Sequence, residues 1–102
     1  MTTINSLSAL DGTPHANVFP DSEPKTIRLT LEAGEVVDPH RHPGQKVVFF
    51  VLEGAVELHL DAETFELAAG DVAHFDGDQE ISPVASEDSV ALVVLARATE
   101  SG

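Results

Sequence analysis

His40 and His42 are the residues in this sequence whose types and spacing most readily do chemistry. Side chains at i and i+2 of an extended segment project from one face. Two imidazoles about 7 Å apart along a strand can converge on one divalent ion. Arg41 lies between them and is expected to point the opposite way, towards an acidic neighbour. Other chemistries find little support. There is no Cys, which excludes disulfides, thiolate metal sites and a Cys nucleophile. No strand-to-helix nucleophile elbow surrounds a Ser, and no Gly-rich phosphate loop precedes a helix. Acidic residues are so abundant that no single carboxylate pair stands out. His59 alternates with Leu58 and Leu60 and is expected to face solvent, while His15 lies in an N-terminal stretch that reads as loop.

The elements that must hold the two histidines are strands. Residues 1–24 are polar and punctuated by Gly12, Pro14, Pro20 and Pro24, and are expected to form an extended arm over a sheet edge or another subunit. From Lys25 to residue 102 the pattern is that of one small β domain. Ile27, Leu29 and Leu31 alternate with Arg28, Thr30 and Glu32, the period of a half-buried strand. Val36-Val37 starts a short strand, and Asp38-Pro39 breaks it just before the histidines. Val47 to Leu52 is apolar on both faces, as suits a strand buried on both sides. Val56 to Leu60, Phe65 to Leu67, Val72 to Phe75, Ile81 to Ala85 and Val90 to Ala98 follow, separated by turns such as Asp76-Gly77-Asp78. Pro83 marks its strand as an edge or a bulge. About eight short strands with no convincing helix imply an all-β sandwich or barrel.

Two segments narrow the choice. Gly34, His40, His42 and Gly54, with the run His42-Pro43-Gly44, resemble the first motif of the cupin family in its longer-gap form. Gly70-Asp71 and the residues up to Ile81 resemble the opening of the second cupin motif. The resemblance covers about half the chain. It implies a double-stranded β-helix, or small jelly-roll, barrel. It also implies a metal site of two His and a Glu from the first motif and one His from the second, with Fe, Mn, Ni or Zn as the ion. In this sequence the Glu position is Val47, the second-motif His position is Ile81, and its Pro position is Asp76. The metal motif is therefore degenerate. Gln45, two residues before Val47, can offer an amide oxygen, and His74 can offer an imidazole if its strand turns that face inward. The candidate metal set is then His40, His42, His74 and Gln45. The alternative is that His40 and His42 line a polar barrel mouth and that His74 is a half-buried ring with its own partners. Phe49 and Val51 share the parity of Val47 and are expected to line the barrel.

Charge bounds the partners. Five Lys and Arg stand against 18 Asp and Glu, for a formal charge of -13. No basic footprint exists for nucleic acid or an anionic membrane surface. The acidic shell points either to a salt-adapted, halophilic host or to an ordinary acidic bacterial protein. The N-terminus lacks the basic and apolar regions of a signal peptide, so a cytoplasmic location is expected. Three functions fit. One is a barrel that binds a small molecule, with or without a divalent metal. The second is a metal-dependent enzyme with dioxygenase- or isomerase-like chemistry. The third is a dimerisation unit, since Val47 to Leu52 and the last strand offer more apolar surface than one small barrel buries; a homodimer is expected.

Overall fold

The alternating segments pair into two antiparallel sheets that face each other across one core. The computed structural model describes residues 2–20 and 23–97. Strands β1 (His15–Asn17), β2 (Lys25–Leu31), β3 (Gln45–Glu53), β6 (Val72–Asp76) and β8 (Ser89–Arg97) form a five-stranded sheet in the order β1-β2-β8-β3-β6. Strands β4 (Ala55–Leu60), β5 (Glu63–Ala68) and β7 (Ile81–Ala85) form the second sheet, in the order β5-β4-β7. Among the described residues there is no α-helix, and no helix long and apolar enough to cross a membrane. The all-β reading therefore holds. The expected end of the last strand at Ala98 lies outside the described residues.

Period two decides which side chains enter the core. Ile27, Leu29 and Leu31 of β2 and Val47, Phe49 and Val51 of β3 point between the sheets, against Leu58 of β4, Ile81 of β7 and Leu95 of β8. Each such side chain contributes about 1.5–3 kcal/mol by leaving water. The outer side of β3 differs from expectation. Val48, Phe50 and Leu52 are half-buried, because among the described residues no second sheet lies over that face. Glu53-Gly54 turns tightly enough that only glycine fits: Gly54 has φ of 84°, and a Cβ there would stand 2.2 Å from the Asp88 carbonyl oxygen.

Residues 35–40 run beside β7 as an irregular strand. The expected strand at Val36-Val37 is reduced to isolated bridges, Val36 to Val84 and His40 to Ile81. The step from one bridge to the next is longer on the first segment than on β7, so the register slips. Pro83 lies within this stretch and has no N–H to give the Val37 carbonyl. The Ser82 hydroxyl donates to that oxygen instead, at 2.7 Å. The edge-or-bulge reading of Pro83 thus has a physical basis in a substituted hydrogen bond.

The N-terminal segment is more ordered than a loop. Leu7–Ala9 makes one 3-10 turn, and β1 pairs with β2, His15 opposite Leu29 and Asn17 opposite Ile27. Buried Ala16 and Val18 alternate with exposed His15 and Asn17. That short alternation is the only local signal of the strand, and the surrounding prolines and glycine obscure it.

Candidate functional site

Backbone pairing holds the histidine segment between the two sheets. His40 exchanges two hydrogen bonds with Ile81, His40 N–H to Ile81 O at 3.0 Å and Ile81 N–H to His40 O at 2.7 Å. The turn of residues 76–78 clamps the other end. His42 N–H donates to Gly77 O at 2.7 Å, Gly77 N–H to Gln45 O at 2.9 Å, and Gly44 N–H to the Asp78 carboxylate at 3.0 Å. Arg41 points away from the cavity and donates to the Asp78 carbonyl at 2.6 Å. Gly77 packs so closely that a Cβ would come within 2.3 Å of His42 O and 2.9 Å of His42 Cβ. The second motif therefore positions the first.

Both imidazoles face one cavity of about 490 Å³. Their ring centroids are 4.8 Å apart, edge to face at 86°. The cavity wall is mainly apolar, with Ile27, Leu29, Val47, Phe49, Phe75 and Val93 prominent in it. The expected lining role of Phe49 holds. His40 Nδ1 donates to the Asp38 carbonyl at 2.9 Å, which fixes its tautomer and leaves Nε2 open. Burial pulls the His42 pKa below its ordinary value, and the charges of His40 and then Lys25 lower it further.

Of the four expected ligands, the structure brings together two. His74 is exposed: β6 directs Ala73 and Phe75 inward, so His74, Val72 and Asp76 take the solvent side. The inward reading of His74 is corrected by that parity. Gln45 begins β3 but does not line the cavity. The two positions where the family resemblance calls for Glu and His carry Val47 and Ile81, both buried in the apolar core. Among the described residues no three His, Asp or Glu side chains are grouped to hold a metal ion. Two imidazoles with apolar neighbours in the remaining positions do not fit a resident divalent ion, which needs about four donors. Asp76, at the second-motif Pro position, instead forms an ion pair with Lys46.

Sequence reading alone does not reach one site residue. Pro14 and His15 also line the cavity, because β1 extends the sheet beside β2 and puts His15 at the cavity's rim. Burial and then the charge of His40 hold His15 below its usual pKa. Glu35 and Asp38 lie on the same cavity. His59 is on the outer face of β4, hydrogen-bonded to Glu57 and Thr64.

Residues 27–96 match the family model described as a cupin domain. No curated protein matches the chain. Among solved structures, it is similar to an uncharacterised conserved protein with a double-stranded β-helix domain from Klebsiella pneumoniae, at 19% identity and TM-score 0.82, covering 99% of this chain and 95% of that one. It is similar to KdgF from a Halomonas species, at 22% identity and TM-score 0.73, covering 86% and 84%. It is also similar to a predicted oxalate decarboxylase from Thermotoga maritima, at 21% identity and TM-score 0.73, covering 81% and 78%. At these identities the likeness is one of fold.

Proposed function

The chain belongs to the cupin family, and on that premise we propose that its barrel binds a small, largely apolar organic molecule whose polar end meets His40 and His42. The observation that carries this reading is the cavity itself, about 490 Å³ with a mainly apolar wall and the two imidazoles together on its lining. That volume falls in the range of about 300–1,000 Å³ common for small-molecule sites. The metal-dependent alternative, dioxygenase- or isomerase-like, needs donors where this chain has Val47 and Ile81. The binding reading is tested by adding small apolar probes to protein purified without a tag. Shifts of the Phe49 and Phe75 ring signals in NMR, lost when Val93 is replaced by Phe to fill the cavity, are expected. One tightly held divalent ion per chain, dependent on His40 and His42, would instead favour the enzyme.

We further propose that two copies associate through the outer face of the five-stranded sheet. Val48, Phe50, Leu92 and Val94 lie in register across β3 and β8, with Val72 exposed on β6 beside them. No Asp or Glu stands among these positions, in a chain that carries 18. Light scattering should return twice the chain mass, and Phe50→Glu should return a monomer.

A further inference from the structure

The groups at and beside the cavity that can carry positive charge come from three separate pieces of chain. His40 and His42 come from the segment beside β7, His15 from β1, and Lys25 from the start of β2. His15 links them in space. It lines the main cavity with His40 and His42, and it lines a smaller adjoining cavity of about 220 Å³ with Asn17, Lys25 and Ile27. The coupling of His15 and His42 to His40, and of His42 to Lys25, is consistent with one cluster.

Resting on the small-molecule reading above, we propose that His15, His40, His42 and Lys25 form an anion-accepting pole, and that the ligand is an amphipathic carboxylate with its apolar body against Phe49, Phe75 and Val93. Four groups that can carry positive charge are a large share of what this chain has, since Lys and Arg total 5 and His total 5. Three of them line the apolar cavity and Lys25 lines the smaller cavity that shares His15 with it, in a chain of charge -13. Of the histidine rings, those of His40 and His59 are hydrogen-bonded within the described residues. The His15 and His42 rings therefore keep donors for a ligand. A carboxylate accepts several such donors at once, and hydrogen bonds to a charged group are the strong ones.

Two carboxylates also line the cavity, and they set the rival. Glu35 accepts from the Glu32 N–H at 2.9 Å and is thereby held to its own turn. Asp38 is exposed and meets His40 through its backbone carbonyl. Were these the recognition groups, the ligand would be an amine.

The test compares octanoate, octanamide and octylamine by titration calorimetry at pH 7. Octanoate is expected to bind at least about tenfold more tightly than octanamide. His15→Gln and Lys25→Gln should each erase most of that advantage by weakening octanoate far more than octanamide. Asn5→Ala, which removes a hydrogen bond from the N-terminal segment to the Val18 carbonyl and touches neither cavity, should leave both probes unchanged and so controls for loosening of the arm. Equal binding of octanoate and octanamide overturns the anion pole but leaves the cavity reading standing. Preference for octylamine overturns it in favour of Glu35 and Asp38. Failure of all three to bind removes the small-molecule reading together with the pole.

Discussion

The two sides of β2 treat their polar groups in opposite ways. On the outer side Arg28 is 8% exposed, and its guanidinium donates to the carbonyls of Leu7, of Leu10 at 3.2 Å and of Gly12 at 2.9 Å. Its Nε alone is buried without a partner among the described residues. On the inner side, around the cavity that Ile27 and Leu29 help to line, the rings of His15 and His42 keep their hydrogen-bonding capacity open. A buried cation tied to backbone carbonyls is architecture: it fastens residues 7–12 to the barrel. Rings with open nitrogens at a cavity, His42 half-buried and His15 exposed, are available to something else. Burial alone does not separate structure from function here; saturation does.

The largest expected effect comes from completing the inner side. Val47→Glu with Ile81→His places a carboxylate and an imidazole at the two positions nearest the histidine pair in the family pattern. Ile81 already exchanges two hydrogen bonds with His40, so the new ring starts beside the old ones. Affinity for Zn2+, read by competition with a chromophoric chelator, should rise by about a hundredfold or more over the parent. The metal-free variant should be less stable, since Val47→Glu puts a carboxylate into an apolar core. Equal affinity in parent and variant would mean that the parent pair already recruits other donors.

Next in size is the outer side. Arg28→Met keeps much of the stem's packing but leaves the carbonyls of residues 7, 10 and 12 without their donor. The expected cost is about 2–3 kcal/mol in urea denaturation, with protease cutting first between residues 7 and 12. By contrast, His42→Gln should change stability by less than about 0.5 kcal/mol, since its ring is hydrogen-bonded to nothing in the described residues. Its effect should fall on ligand binding. If both variants cost the same stability, the distinction between the two sides of β2 fails.

The strands are legible in the sequence because their periods are strong. Ile27-Leu29-Leu31 and Val47 to Leu52 announce themselves, and Gly34, His40, His42 and Gly54 select the barrel. Half of the candidate site is legible too, since i and i+2 parity needs only an extended segment. His74 is a different matter, because parity along β6 has two phases and sequence offers no absolute one. Phe75, the larger apolar neighbour, takes the inside and forces His74 out. His15 is hidden for another reason. It reaches the cavity only because β1 pairs with β2, and a three-residue strand flanked by Pro14 and Pro20 has too few alternations to show it. Non-local pairing of short segments is what single-sequence patterns carry least.

The smallest effect is a pH dependence, and its sign follows from the two lowered histidines. His15 and His42 lie below the ordinary value of 6.5 in the folded chain, each through burial first and then the charge of His40, with Lys25 adding to His42. Well above pH 6.5 both states hold these rings neutral and the rings add no slope. As pH falls through 6.5 the unfolded chain takes up protons before the folded chain does, so stability declines. The decline ends once pH has passed the lowered folded-state values. Urea midpoints from about pH 8 to 5 should therefore fall on the acid side, and His15→Gln with His42→Gln should flatten that part of the curve. A bound carboxylate reverses the preference of the same rings, because it favours imidazolium. Octanoate affinity should then rise from about pH 7.5 to 6, over the same interval in which the free protein weakens. If affinity and stability instead fall together, the rings are being titrated without touching the ligand.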